Sequence, residues 1–442
     1  MLGLSRFRLK LCLFDRMLLE DDSLDLPATL QLVKCDYCSE ATQLRDLFSA
    51  CEVDDAKKVE ALLQQPLDPN MLADGRSALQ LASFGGALKS VKLLLEAGAD
   101  RDASFGRHGI TPLMNAADQG HAEVVRALVE AKADKDRGST GGVTSLLMAV
   151  SEGRLEVARC LLEFRADVQK APEQGMTPLS VAARDGSPEL ARLLLQAGAD
   201  ANEHARPPSP LLLAARQGHL NLVKLLLDHR ADMERAADSG FTPLAAAAQE
   251  GQLEVAQALV KARAKLHRTT RDGWTPLFAA ARSGHSDIVS FLLEAGAEKN
   301  ESAVEGMTPL LVAAMRGNVG VTRCLTEARA LVDTVLDGIT PVSAAASRGH
   351  AEVVRLLLGA GADKEGTGGC PPLFVAAFGG HLEVVSALID ARVNVARKMN
   401  DISALTLATH HGHLDIVGML SQAQGCEHEE PTQPKPKRQR IT

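Results

Sequence analysis

Residues 109–136 read GITPLMNAADQGHAEVVRALVEAKADKD, and their chemistry dictates two short helices joined by a tight turn. Thr111 can accept a hydrogen bond from an orphan N–H at a helix start. Pro112 then takes the first helical position, where no N–H is needed. Leu113 and the pair Ala116 and Ala117 follow at helical spacing, and the two alanines let a neighbouring helix approach closely. Gly120 can adopt a positive φ and stop that helix. Val124, Val125, Leu128 and Val129 give a second helix its apolar stripe. Ala133 and Asp134 then turn the chain toward a short hairpin. A unit this thin buries its apolar face only by stacking on a neighbour.

The rest of the chain supplies the neighbours. Thr-Pro-Leu or a near relative recurs with its first residue at Ser77, Thr111, Thr144, Thr177, Ser209, Thr242, Thr275, Thr308, Thr340, Pro371 and Ser403, at spacings of 31 to 34 residues. On these residues the chain resembles the ankyrin repeat over roughly residues 43–424. The resemblance implies an all-α solenoid of stacked helix-turn-helix units joined by short β-hairpins. Residues 43–72 read as a degenerate capping unit without the Thr-Pro start, and eleven repeats follow within a domain spanning 41–424. Ser421, Gln422 and Gln424 stand where internal repeats place apolar residues or Gly, as a solvated outer wall requires.

Composition agrees with thin layers. The chain has 442 residues with a net charge of −8, so a dominant polyanion-binding surface is not expected, and no direct contact with nucleic acid. Aromatics are only 3%, with one Trp and one Tyr, so Ala and Leu must make the core. No apolar run reaches the ~20 residues of a membrane span. Eight Cys in this length are not a disulfide scaffold, and a reducing compartment, cytoplasmic or nuclear, follows.

Both ends depart from the repeat. RFRLKLCLFDRMLLEDDSLDLPATLQLV, ending at Val33, resembles the second half of a ubiquitin-like domain, with strands expected at Leu9 to Phe14 and Thr29 to Val33. The first hairpin and main helix of that fold would lie before Met1, so residues 1–40 read as a truncated start or a strand-rich remnant. Arg6, Arg8 and Lys10 precede an apolar run, Leu11 to Phe14, too short for a signal peptide, with a mitochondrial transit peptide as the alternative. Residues 425–442 carry three prolines and no periodicity, which reads as a disordered tail. Lys435, Lys437, Arg438 and Arg440 in that tail look like a nuclear-import signal.

Reactive constellations are sparse. His121, His219, His285, His350, His381 and His413 follow the inter-helix Gly, where a His usually bonds backbone in the turn. His410 and His411 join His413 in the densest cluster. Cys35-x-x-Cys38 is a lone pair without a partner pair at finger spacing, and Cys160 and Cys324 read as small buried residues. No phosphate-cradling G-x-x-x-x-G-K-[ST], G-x-S-x-G elbow or H-E-x-x-H occurs. No enzyme, cofactor or metal site is expected. After the second helix the chain has Gly98, Gly198, Gly296 and Gly361 in four repeats but Lys132, Arg165, Arg230, Arg263, Arg329 and Arg392 in six others. A non-Gly residue there costs roughly 1 kcal/mol if it takes a left-handed conformation.

The resemblance places a concave binding face on the hairpin residue before Thr-Pro-Leu and on the two residues before the inter-helix Gly. Mapped here, the hairpin positions include Ile110, Val143, Met176, Phe241, Trp274, Met307, Ile339 and Ile402, an apolar ladder with the single Trp near its centre. The helix-one positions include Arg184, Arg216, Arg282, Arg316 and Arg348. Together they imply a protein partner with a hydrophobic and acidic segment. The expected function is a non-catalytic, monomeric scaffold or adaptor. The alternatives are a nuclear cofactor binding transcription or chromatin proteins and an adaptor of the ubiquitin pathway.

Overall fold

The computed structural model describes residues 40–426 apart from 66, 74, 105, 174, 203–207, 304–305 and 367–368, and before them only the strands Cys12–Leu13 and Arg16–Met17. Those strands pair antiparallel, Cys12 opposite Met17. The rest of the ubiquitin-like resemblance, the Cys35 and Cys38 pair and the basic tail lie outside the described residues.

Helix dominates what is described. Twelve helix pairs follow in order, from Glu40–Glu52 with Ala56–Leu63 to Ala404–His410 with Leu414–Cys426. The chain divides into two compact units, residues 1–210 with 228–231 and residues 211–227 with 232–442. Within each unit the first helices of successive pairs pack in one row and the second helices in another. In the first unit Ala116, Ala117, Ala182 and Ala183 are fully buried in the first-helix row. In the second unit Ala280, Ala281, Ala313, Ala314, Ala345 and Ala346 do the same. Val157 and Leu161, or Val321 and Leu325, form the buried stripe of the second row.

The caps follow the residue chemistry. Thr111 Oγ1 accepts from the Met114 N–H at 3.2 Å, and Thr275 Oγ1 from the Phe278 N–H at 3.1 Å. These threonines are buried, so losing the hydroxyl would orphan a donor at a cost of about 1 kcal/mol. Pro371 holds the equivalent place without a side-chain bond. All six cations that replace glycine after the second helix take positive φ, between 56° at Arg392 and 72° at Arg263. The repeat imposes this turn strongly enough to carry a non-glycine residue through it.

Two kinds of hydrogen bond tie successive pairs together within each unit. His121 Nε2–H donates to the Phe84 carbonyl at 3.0 Å. His285, His381 and His413 bond the carbonyls of Gln249, Ser347 and Phe378 in the same way. For these four histidines the expected backbone bond is made, but to the preceding repeat, two residues before its turn glycine. Two residues that replace the His keep the task. Arg154 Nε donates to the Asp118 carbonyl at 3.0 Å and Asn318 Nδ2 to the Ala281 carbonyl at 3.0 Å. At the hairpins a carboxylate or amide oxygen accepts the next repeat's N–H. Asp102 accepts from Asp134 at 2.8 Å, Asp136 from Asp167 at 2.7 Å, and Asp333 from Asp363 at 2.8 Å.

These ties make one glycine more demanding than another. Gly296 needs only its left-handed turn, since a Cβ there would meet nothing within 4 Å. At Gly317 a Cβ would sit 2.6 Å from the His350 ring of the next repeat. Gly296→Ala is expected to cost about 1–2 kcal/mol, the left-handed penalty alone. Gly317→Ala is expected to cost more, because the ring must also leave. Urea midpoints of the two variants check this, and equal midpoints contradict it.

Candidate functional site

Hairpin backbones place the apolar ladder. In the second unit Thr270 N–H bonds the Trp274 carbonyl at 3.0 Å, and the buried Thr270 Oγ1 accepts the Trp274 N–H at 3.1 Å. The neighbouring hairpin repeats the closure, with Ala303 N–H on the Met307 carbonyl at 3.0 Å. Successive hairpins also bond each other, Arg271 N–H donating to the Ser239 carbonyl at 3.0 Å. A side chain at the hairpin position therefore stands at a fixed place relative to the helix that follows it.

That framework gathers an aromatic cluster. Phe241 meets Trp274 edge to face, their ring centroids 6.0 Å apart. Phe278 lies under Trp274 at 5.6 Å and is fully buried. The Arg282 guanidinium covers the indole, its carbon 4.3 Å from the ring centroid. Such a contact contributes about 0.5–1 kcal/mol at an exposed site and holds the guanidinium plane in place. Beside it opens a cleft of about 320 Å³ lined by Arg271, Asp272, Trp274, Phe278, Arg282, Ala303 and Met307. Phe241, Trp274 and Met307 are each half-buried, anchored below and accessible above.

The other ladder positions vary in exposure. Ile110, Val143 and Met176, in the first unit, are half-buried. Ile339 and Ile402, in the second, are exposed. The arginines divide by partner. Arg184 bonds its neighbour Asp185 at 2.7 Å, and this hydrogen bond raises the guanidinium above its ordinary range. Arg216 pairs with Glu250 at 3.4 Å. Arg282, Arg316 and Arg348 have no ion pair or side-chain hydrogen bond among the described residues, although Arg282 stacks on Trp274. Sequence reasoning missed Arg271, Asp272, Phe278 and Ala303, which lie outside the two position classes it considered. The signal for Phe278 was a phenylalanine three residues after Thr275, a place where only Phe374 is its equal and the other repeats put smaller side chains such as Ala245 or Ser343.

The histidines near the C-terminal repeat pack on one another and on Phe378. The His411 ring lies between those of Phe378, at 4.5 Å, and His410, at 5.1 Å, while His413 is engaged with the Phe378 carbonyl. Among the described residues no group of three or more His, Cys, Asp or Glu could hold a metal ion. No described helix is long and apolar enough to cross a membrane. Cys160 is buried as expected, whereas Cys324 is only half-buried. Burial, helped by Asp54 and Glu52, pushes the Cys51 thiol up to about 12.

Known proteins match along the repeats. Family descriptions of ankyrin repeats match residues 47–139, 134–205, 203–270, 297–368 and 359–431, and a single-repeat description matches residues 272–303. The mouse (Mus musculus) ankyrin repeat and SAM domain-containing protein 6 is 36% identical over 93 residues, 20% of this chain and 10% of the mouse protein. The E3 ubiquitin-protein ligase XB3 of Oryza sativa subsp. japonica is 33% identical over 102 residues, 22% of each chain. The match thus spans a small part of these curated relatives' length. Among solved structures, the human ASB11 ankyrin repeat domain is similar at 26% identity with a TM-score of 0.47, covering 50% of this chain and 99% of that one.

The thiol environments predict selective chemistry, because the thiolate is the reactive form. A brief alkylation of the native protein at about pH 8 should leave Cys51 unmodified and label the exposed Cys370. Peptide mass spectrometry reads both sites, and equal labelling would contradict the burial of Cys51.

Proposed function

Since this chain belongs to the ankyrin-repeat family, we propose that it is a non-catalytic protein-binding scaffold whose partner lies along the hairpins and the ends of the first helices. Ankyrin repeats are protein-interaction modules, and the coarse function follows from membership. The finer reading rests on one observation: the half-buried Trp274, capped by Arg282 and bordered by Met307 and an open cleft. An aromatic side chain fixed on three sides and open on the fourth suits the well-packed anchor point at which binding energy concentrates. The unpaired Arg316 and Arg348 at the ends of the following first helices favour an acidic partner and would speed encounter more than they add affinity. Capture then works by area, shape and charge, and it needs no reactive group.

A second, narrower reading is an adaptor of the ubiquitin pathway. It draws only on the name of the rice relative, whose match covers 102 residues.

Phe241→Ala, Trp274→Ala and Met307→Ala combined should remove the partners that the native protein retains from its own cell extract, identified by mass spectrometry. Arg316→Glu with Arg348→Glu, at exposed positions, should weaken the same partners without touching the aromatic cluster. Far-UV circular dichroism verifies the folds. Retention of the same partners by both folded variants would refute this reading.

A further inference from the structure

The charges inside the Trp274 cleft say more about its occupant than its apolar wall does. Among the described lining residues it holds two guanidinium groups, Arg271 and Arg282, and one carboxylate, Asp272. None of the three makes an ion pair or a side-chain hydrogen bond among the described residues. Arg271 and Asp272 are exposed, and Arg282 is half-buried over the indole. Their places are set before any ligand arrives. Arg271 N–H is bonded to the Ser239 carbonyl at 3.0 Å and Gly273 N–H to the Thr270 carbonyl at 3.0 Å, so the hairpin backbone on both sides of Asp272 is fixed. Arg282 is held by its stack on Trp274, which leaves its N–H donors unclaimed. Because Arg282 covers the indole and Phe278 packs against it, Met307 and Ala303 complete the apolar wall.

We propose that this cleft takes the carboxyl-terminal residue of a partner polypeptide, a residue with an apolar side chain. This inference rests on the binding-face reading above and specifies what enters the cleft. Two guanidinium groups against one carboxylate favour an anion, and the arginine fork suits a carboxylate, which it can bind through two N–H donors. Asp272 limits how much acid can enter. An ionised carboxylate only accepts hydrogen bonds, so it repels a second acid and calls for an N–H donor. One residue must therefore bring a single carboxylate, an N–H and an apolar group into about 320 Å³, close to the smallest volumes of about 300 Å³ found for ligand pockets. A terminal residue carries all three on one Cα. Its carboxylate meets Arg271 and Arg282, its amide N–H meets Asp272, and its side chain packs on Met307 and Ala303. An internal Asp or Glu spends its side chain on the charge, so a second residue must supply the apolar group and bring its backbone with it. Capture of a terminal carboxylate is a general mode of peptide recognition. Here side chains on a hairpin and a helix end perform it.

The chain contains one tryptophan, so its emission reports this cleft alone. The full chain is titrated with acetyl-GSGSGSL bearing a free carboxyl terminus, with the same peptide amidated, and with acetyl-GSELGSG-amide, whose carboxylate is on an internal Glu. The free acid should change Trp274 emission saturably and bind about tenfold more tightly than either amide, a difference of 1.4 kcal/mol. Arg271→Gln and Arg282→Gln should each weaken the free acid about fivefold and leave the amidated form of that peptide unchanged. N-methylation of its leucine amide should weaken the free acid about threefold on the native chain and less on Asp272→Ala. Equal binding of free acid and amide, tighter binding of the internal-Glu peptide, an equal loss on N-methylation in both chains, or no binding at all would overturn the inference. If the peptides fail while the combined Phe241, Trp274 and Met307 variant still loses its cellular partners, the terminal occupant is wrong and the binding face stands.

Discussion

A helix pair of seven to nine residues per helix has no interior of its own. Its apolar stripe can be buried only against the next pair, so every feature of the sequence serves close approach between neighbours. The buried alanine pairs Ala116 with Ala117 and Ala313 with Ala314 allow that approach. Large rings would prevent it, which accounts for an aromatic content of 3%. The few aromatics that remain are informative for the same reason. Phe278 fits because it fills the space beneath Trp274, and Trp274 fits because its hairpin holds it at the edge of the stack.

Close packing leaves the neighbour free to slide unless directional bonds fix it. The bonds from His121, His285 and His381 to the preceding repeat fix one edge, and the hairpin acceptors Asp102, Asp136 and Asp333 fix another. Within each unit, repeats joined in this way stand in a set register to the one before, and their surface side chains are displayed at a set interval. A partner that matches it engages several repeats at once, and the cost of ordering the protein side has already been met in folding.

Local chemistry was legible in the sequence because its causes are local. Thr111 and Thr275 mark helix starts, and the helices begin there. Arg263 and Arg329 stand in for glycine, and their backbones are left-handed as that place demands. What lay beyond reading was set by pairs of residues about one repeat apart. The acceptor for His121 is in the preceding repeat, not in its own turn. Arg216 looked like open charge until the fold brought Glu250 to it. The cleft draws Trp274, Phe278, Ala303 and Met307 from two repeats and from positions of different class, so no periodic inspection of one position would assemble it. The repeat itself was easy to see, and the contacts that distinguish one repeat from another needed coordinates.

The most direct test of the central claim is amide hydrogen exchange of the protein with its captured partner, compared with the free chain. Protection should rise in the hairpin 270–274, at Ala303, Gly306 and Met307, and at the ends of helices Pro276–Ser283 and Pro309–Arg316, with helices Ser286–Glu294 and Val319–Glu327 unchanged. Protection confined to those second helices would place the partner on the opposite side and contradict the account.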